Sequence, residues 1–311
     1  MKKMINATHI AGSLYQHDLT LKVTGENSKA PGTEFISGNI EIATDDAGVN
    51  IVPVHFTYVT ATTAKGKAND TFNTLKNIID GVYKSVMEHG ADNATKFRID
   101  SAIGLNEFYS DRSGKEELVS VKRNEGGFVH VAPGLDEAEN IRNTFDCDIV
   151  ITQVIHVESD EEKKTLEKAT IKGAIFNFRG ELLPVEFSVL HPNAIAYFED
   201  LGASSKNPVF TRIKGRQISE SITRTVTEES AFGEPSVREY KSTKKDFVVT
   251  WAAKEEYEWD SEGTLLATEL KEAMANREIA LAEMKKRNDD YKASKGNAIP
   301  AATPASGGFD F

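Results

Sequence analysis

The sequence predicts a mainly β protein with α additions, in which one small β unit occurs twice. Its 311 residues exceed the needs of a single compact β unit and suit two domains of ordinary size with appendages. Hydrophobic residues make up 39% of the chain, which is enough for two cores but leaves part of the chain solvated. Short segments that alternate apolar and polar residues recur in the same order in both halves.

A repeated sequence pattern indicates the two copies. Residues 36–40 read I-x-G-x-I and are followed, after a turn, by P-V-x-F at 53–56. Residues 171–175 and 184–187 repeat both patterns around a shorter turn. Two later pairs of segments match in the same order, 97–99 with 210–213 and 128–131 with 247–250. Four matched segments in one order predict a tandem repeat.

The order of elements in the first unit indicates its fold. Alternation predicts strands at 8–15, 19–23, 35–44, 51–60, 96–105 and 118–131. Before the last two strands, an apolar stripe from Phe72 to Met87 predicts a helix over 70–89, which Gly90 ends. A five-stranded Greek-key barrel with a helix between its third and fourth strands has this order, which is the OB-fold pattern. A two-sheet sandwich has similar strand spacing and stays open as an alternative.

The rest of the chain repeats this order and then changes character. The first unit takes up 1–135, and a second follows over 145–255 with its helix reduced to a short segment near 193–202. The predicted architecture is therefore two tandem OB-like five-stranded Greek-key barrels. Residues 261–292 have apolar side chains at roughly helical spacing and predict an amphipathic C-terminal helix. The Ala-, Gly-, Pro- and Ser-rich residues 293–311 predict a flexible tail.

Composition and motifs narrow the class of protein. The single cysteine, Cys147, excludes an internal disulfide and a thiolate-rich zinc site. No run approaches the roughly 18 apolar residues that a membrane span needs, and the N-terminus lacks a secretory signal, so we expect a cytoplasmic protein. The sequence has no P-loop, no His-Glu-x-x-His, no Gly-x-Ser-x-Gly and no dinucleotide fingerprint. We therefore expect no enzymatic activity, no cofactor and no metal.

The charge distribution indicates an anionic partner. The chain carries a net charge of -11, yet residues 206–245 hold nine basic and five acidic side chains. Bases stack on aromatic rings while Lys and Arg follow the phosphates, so a surface that binds single strands needs both residue types. The candidate nucleic-acid-binding residues are Lys22, Tyr58, Arg98, Phe108, Tyr109, Arg112, Lys122, Arg179, Arg212, Lys214, Arg216, Phe232 and Lys244. Further aromatic candidates are Tyr15, Phe176, Phe178, Tyr240 and Trp251.

The last residues carry a further signal. Gly307 and Gly308 lead into Phe309, Asp310 and Phe311, which place two aromatic rings and an acid at the end of the predicted tail. In this feature, and in its tandem OB-like order, the chain resembles the single-stranded DNA-binding proteins of bacteria and their phages. The Gly-Glu-Pro segment at 233–235 is similar to phage or prophage versions.

The resemblance implies a function. It implies sequence-independent binding and protection of single-stranded DNA in replication or recombination, in the bacterial host cytoplasm if the protein is phage-encoded. It also implies that Phe309, Asp310 and Phe311 recruit replication or recombination proteins, although one aspartate replaces the acidic run of the family. Homo-oligomer formation stays open. Two alternatives also stay open, a structural or virion assembly protein whose barrels make protein contacts, and an RNA-binding OB protein.

Overall fold

The computed structural model describes residues 4–112, 114–159, 167–228, 236–261 and 263–296, with side chains at all of these except 220–228, 236–244, 295 and 296. The described residues of the first half form β1 (Asn6–His17), β2 (Thr20–Val23), β3 (Glu34–Ala43), β4 (Ile51–Thr60), α1 (Asp70–Ile79), α2 (Val86–His89), β5 (Lys96–Ser110) and β6 (Glu117–Val131). Those of the second half form β7 (Asn143–Val157), β8 (Lys168–Phe176), β9 (Leu182–Val189), α3 (Pro192–Asp200), β10 (Val209–Glu228), β11 (Ser236–Ala252) and α4 (Ala267–Gly296).

Five strands of the first half close into a ring, which we call ring 1. Strand β1 pairs antiparallel with β3 and β5, β3 with β4, and β5 with β6. A short parallel contact between β4 and β6, at Val54–Asn124 and His55–Glu125, closes the ring. Strand β2 is added outside β3, and α1 lies between the third and fourth ring strands in chain order. Phe56 and Phe97 are fully buried in the core of this ring.

Ring 2 repeats the arrangement with strands β7, β8, β9, β11 and β10. Neighbours pair antiparallel except β9 and β11, which meet in parallel at Ser188–Val248, and β10 returns to β7. Helix α3 again lies between the third and fourth strands. This order is that of the OB fold, so the predicted mainly β, OB-like fold class with a C-terminal helix is confirmed. The four matched sequence segments lie on equivalent strands, β3 and β8, β4 and β9, β5 and β10, and β6 and β11.

The two rings meet through their first strands. Strands β1 and β7 pair antiparallel, with Asn6 opposite Cys147 and Ile10 opposite Asn143. An antiparallel pair has a local twofold axis, so His9 of ring 1 corresponds to Asp146 of ring 2. Side-chain bonds repeat across this axis. The Asn6 amide donates to the Ile103 carbonyl at 2.9 Å, and the Asn143 amide donates to the Gln217 carbonyl.

Each ring also extends its hairpin of fourth and fifth strands against the other ring. The β10–β11 hairpin brings Gln217 to ring 1, where its amide exchanges hydrogen bonds of 2.8 and 2.9 Å with the buried amide of Asn124. The β5–β6 hairpin brings Ile103 into an apolar cluster with Phe145 and Phe247 of ring 2. One hairpin therefore contacts the opposite ring through polar side chains and the other through apolar ones. Together the two contacts fix the rings relative to each other.

Two predicted helices have different bounds in the structure. The helix predicted over 70–89 is interrupted, because α1 ends at Ile79 and Gly81 adopts a left-handed φ of 73°. Val82 and Met87, which belonged to the predicted apolar stripe, are exposed. The C-terminal helix begins at Ala267 instead of 261, where the Asp260 carboxylate accepts a hydrogen bond from the Ala267 amide at 2.8 Å.

Helix α4 continues to Gly296 and so includes residues 293–296 of the predicted tail. Its first turns pack on ring 2, where Leu270 and Ala273 contact a cluster that contains Phe176 and Phe210. No helix within the described ranges is long and apolar enough to cross a membrane. The predicted domain boundaries at 1–135 and 145–255 stay predictions.

Candidate nucleic-acid interface

OB folds bind oligonucleotides on the face of their second and third strands and on adjoining loops. In ring 1 these strands are β3 and β4. Phe35 and Tyr58 lie side by side on their outer surface, with ring centroids 4.6 Å apart, and Tyr58 is 49% exposed. Lys22 of β2 stands opposite Phe35 in the strand register and is also exposed. The structure thus brings two predicted site residues, Lys22 and Tyr58, to one face with an aromatic residue that the prediction missed.

A second pairing of a cation and an exposed aromatic ring lies on ring 2. Lys214 of β10 and Trp251 of β11 are cross-strand partners, and the Lys214 ammonium lies 5.1 Å from the Trp251 ring centroid. Trp251 is 47% exposed. A flat ring beside a cation suits a base and its phosphate, because the base stacks while the phosphate is neutralised.

Asp146 of β7 partly neutralises this pair. Its carboxylate accepts two hydrogen bonds from the Arg212 guanidinium, at 2.7 and 2.6 Å, and lies 3.5 Å from the Lys214 ammonium. Burial alone would raise the pKa of Asp146, but the bonds and charges of Arg212 and Lys214 hold that pKa below its usual value. Arg212 is therefore committed to Asp146, whereas half-exposed Lys214 can still reach a second anion.

Arg98 and Arg216 are turned towards the segment that connects the rings. The Arg98 guanidinium pairs with the Glu137 carboxylate, with its Nε 2.6 Å from Oε1. Arg216 donates from its terminal nitrogen to the Glu139 carbonyl at 3.4 Å. Both residues stabilise the connection between β6 and β7, so the structure does not leave Arg98 free on an open surface.

Lys122 lies at the crossing of the β5–β6 hairpin with ring 2. Its ammonium is 4.6 Å from the centroid of Phe187 and 4.9 Å from that of Phe247, and it donates to the Glu186 carbonyl. Removal from water lowers the pKa of Lys122 to about 8, because burial disfavours the charged form. The structure thus assigns Lys122 to the contact between the rings and does not bring it to the outer surface.

The tip of the β5–β6 hairpin carries three predicted residues. Phe108 and Arg112 are exposed and line one open depression together with Ser110 and Val119. Tyr109 lies on the other side of the strand, where the Lys285 ammonium of α4 is 5.2 Å from its ring centroid. Phe108 and Arg112 therefore stay together at the tip, and Tyr109 contacts α4.

On the β8–β9 turn, Phe178 is 82% exposed and the Arg179 guanidinium carbon lies 5.2 Å from its ring centroid. Lys244 lies opposite Glu220 in the β10–β11 register, and its side chain is not among those that the structure describes. Phe232 and the tail residues Phe309, Asp310 and Phe311 lie outside the described residues. Of the further aromatic candidates, Phe176 is buried in the core of ring 2.

Phe35 and Phe128 were absent from the predicted site although both lie on outer surfaces. Phe128 is 68% exposed, with buried Val129 beside it and exposed His130 next. The alternation of that strand already indicated that Phe128 and His130 share the face opposite Val129. Strand alternation was therefore the signal that could have found Phe128.

Within the described ranges, no group of three or more His, Cys, Asp and Glu side chains could hold a metal ion.

Comparison with curated proteins gives no match. Among solved structures, a deletion mutant of the single-stranded DNA binding protein from Thermus aquaticus is similar at 9% identity and a TM-score of 0.45, over 84% of this chain and 98% of that one. A Replication Protein A heterotrimer bound to ssDNA is similar at 9% identity and a TM-score of 0.22, over 91% of this chain and 69% of that one. The YorF family model matches residues 5–287, and the chain belongs to that family.

Proposed function

We propose that this protein binds single-stranded DNA without sequence preference and has no enzymatic activity. The observation that carries the proposal is the Lys214–Trp251 pair, an exposed ring with a cation beside it on a strand pair of an OB-like ring. Lys22 with Phe35 and Tyr58, and Phe178 with Arg179, repeat the same combination at two other places. Stacking on such rings needs no particular base, so the expected binding tolerates any sequence.

The proposed mechanism is equilibrium binding. Lys and Arg neutralise phosphates and release counterions, so affinity should fall steeply as salt rises. Aromatic rings hold the bases and contribute about 1–3 kcal/mol for each stacked base. A duplex offers no exposed base faces, so it should gain only the weak electrostatic part.

Fluorescence anisotropy tests the proposal. A labelled oligo-dT of about 30 nucleotides, long enough to contact several of these rings, is titrated with the protein at low and moderate salt, with a duplex of equal length as control. Salt-sensitive binding to the single strand and weak binding to the duplex support the function. Absence of binding at low salt, with the protein folded by circular dichroism, rejects it and favours a structural or assembly protein. Competition with an oligo-U of equal length decides between DNA and RNA.

The finer parts of the proposal rest on the sequence resemblance. They are a role in DNA replication or recombination, a phage or prophage origin, a place in the cytoplasm, and recruitment of partner proteins by Phe309, Asp310 and Phe311. Deletion of residues 297–311 tests the last of these by pull-down from a bacterial extract. A partner lost on deletion, with oligo-dT binding unchanged, supports recruitment. Equal capture by both forms rejects it.

A further inference from the structure

A groove of about 590 Å³ lies where three separate parts of the chain meet. Its walls are the β8–β9 turn of ring 2, residues 102–105 of β5 in ring 1, and residues 273–280 of α4. Its volume lies in the range of about 300–1,000 Å³ that is typical of small-molecule sites. The walls from β5 and α4 present the small side chains of Ala102, Ala273 and Ala280, which leave room for a flat ligand, whereas the Glu125 side chain fills the space beside Gly104.

The β8–β9 turn presents an aromatic ring to this groove in a fixed position. The Asn177 side-chain oxygen accepts hydrogen bonds from the backbone amides of Arg179 at 2.9 Å and Glu181 at 3.0 Å. The Asn177 amide donates to the Glu181 carboxylate at 2.6 Å. Phe178 is thus held 82% exposed by an ordered turn. A large apolar ring held in water is unfavourable unless a ligand covers it.

The carboxylates that line the groove already have donors. Glu107 is bonded to the Arg277 guanidinium at 2.6 and 3.2 Å, and both side chains are largely buried. Glu125 pairs with Arg123 at 3.0 Å, and Glu181 is held by Asn177. In the part of the chain that the structure describes, Arg179 has no carboxylate within ion-pair distance. The groove therefore offers one cation to an outside anion.

From the groove, the held ring and the available cation, we propose that this junction between the rings binds one nucleotide of the single strand. The base stacks on Phe178, and a neighbouring phosphate contacts Arg179. This inference rests on the proposed function and assigns part of the strand to a site that needs both rings and α4. It differs from the Lys214–Trp251 surface, which lies on ring 2 alone.

The test uses anisotropy with oligo-dT and a matched control. In Phe178→Ala we expect affinity to fall about fivefold or more, since a stacked base contributes about 1–3 kcal/mol. The control is Val49→Ala, because Val49 is an exposed apolar residue on the equivalent β3–β4 turn. That turn is built alike, with the Asp45 carboxylate accepting from the Val49 and Asn50 amides at 2.9 Å. Val49→Ala should leave the affinity unchanged.

Two further variants locate the nucleotide directly. Phe178→Trp keeps a stacking ring and adds a fluorophore, so oligo-dT should quench its emission beyond the change seen in the parent protein. Arg179→Gln should weaken binding and lower the salt slope by about one phosphate contact. If the parent protein fails to bind oligo-dT, the proposed function fails. If the parent binds but Phe178→Ala binds equally well and the tryptophan shows no added quenching, the groove proposal alone is overturned.

Discussion

The two rings use one cross-strand position with opposite charges. In ring 1, His9 of β1 lies opposite Asp100 of β5, and in ring 2 Asp146 of β7 lies opposite Lys214 of β10. The basic and acidic residues have exchanged strands. An exposed aromatic residue accompanies both pairs, because Phe128 lies opposite Asp100 and Trp251 lies opposite Lys214.

This exchange distinguishes the two outer faces as nucleic-acid surfaces. A base stacked on Trp251 would bring its phosphate near Lys214, whereas a base on Phe128 would bring its phosphate near the Asp100 carboxylate. The negative charges of the phosphate and of the Asp100 carboxylate repel each other, which disfavours binding. We therefore expect this aromatic position to bind the strand at Trp251 of ring 2 and to repel it at Phe128 of ring 1.

Replacement of the two aromatic residues, Trp251 and Phe128, tests this difference most strongly. Trp251→Ala should lower the affinity for oligo-dT by about 5- to 150-fold, the equivalent of a lost stacking contact of about 1–3 kcal/mol. Phe128→Ala at the corresponding position should change it less than twofold, because we expect no base there. Anisotropy titrations at one salt concentration give both values. Equal losses in the two variants would show that both faces bind.

A second comparison concerns two lysines at corresponding positions of the hairpins. Lys122 of β6 lies opposite Leu105, and Lys245 of β11 lies opposite Ser219. Lys122 is packed over Phe187 and Phe247, whereas Lys245 is exposed. Lys122→Met should raise the free energy of unfolding by about 1–2 kcal/mol, since a well-packed apolar side chain replaces a desolvated charge. Lys245→Met, as the exposed control, should stay within about 0.5 kcal/mol of the parent.

The stabilisation expected for Lys122→Met should depend on pH, because the pKa of Lys122 is lowered in the folded protein. Burial lowers the pKa of Lys122 to about 8 in the folded protein, against an ordinary value of 10.5. The cost of its burial is therefore present in full below pH 8 and declines as the pH rises towards 10.5. Urea unfolding at pH 7 and pH 10 should show the advantage of Lys122→Met shrinking at the higher pH. A constant advantage would mean that Lys122 keeps its proton in the fold.

Lys214 itself should have a smaller effect than Trp251. Lys214→Gln should weaken oligo-dT binding about three- to fivefold at low salt, because one phosphate loses its cation while Trp251 still stacks. The matched variant in ring 1 is Asp100→Asn, which removes the repelling charge and should leave binding unchanged or slightly stronger. Salt titrations of both variants separate the electrostatic part. A loss of affinity in Asp100→Asn would contradict the expectation that the Asp100–Phe128 position of ring 1 repels the strand.

The sequence predicted the strand order better than it predicted the site. Matched patterns such as 36–40 and 171–175 depend on local alternation, and they lie on equivalent strands. The partners of the cations are distant in sequence. Arg98 meets Glu137, Arg212 meets Asp146 and Lys122 meets Glu186 only after the strands have taken their register. Charge counts therefore indicated basic segments but not which cations remain accessible.

The smallest expected effect is a pH dependence at the His9 position of ring 1, which the corresponding Asp146 position of ring 2 should lack. Both ring nitrogens of His9 face carboxylates, Asp100 at 3.0 Å and Glu137 at 2.8 Å, while Arg98 shares Glu137. Burial alone would lower the pKa of His9, but the bonds to Asp100 and Glu137 raise it above its usual value. Protonated His9 therefore stabilises the fold in full below pH 6.5, and this stabilisation is lost as the pH rises through the pKa that His9 has in the folded protein.

His9→Gln should consequently lower the free energy of unfolding at pH 5.5 by about 1 kcal/mol or less, and by a smaller amount at pH 9. Urea unfolding of the parent protein and the variant at both values measures this difference. Asp146→Asn provides the contrast in ring 2, since Arg212, which donates two hydrogen bonds to Asp146, keeps its charge over this range. Its destabilisation should be the same at pH 5.5 and pH 9. If His9→Gln were equally pH-independent, the histidine would be neutral in the fold, and ring 1 would contain no titrating counterpart to the Asp146–Lys214 pair.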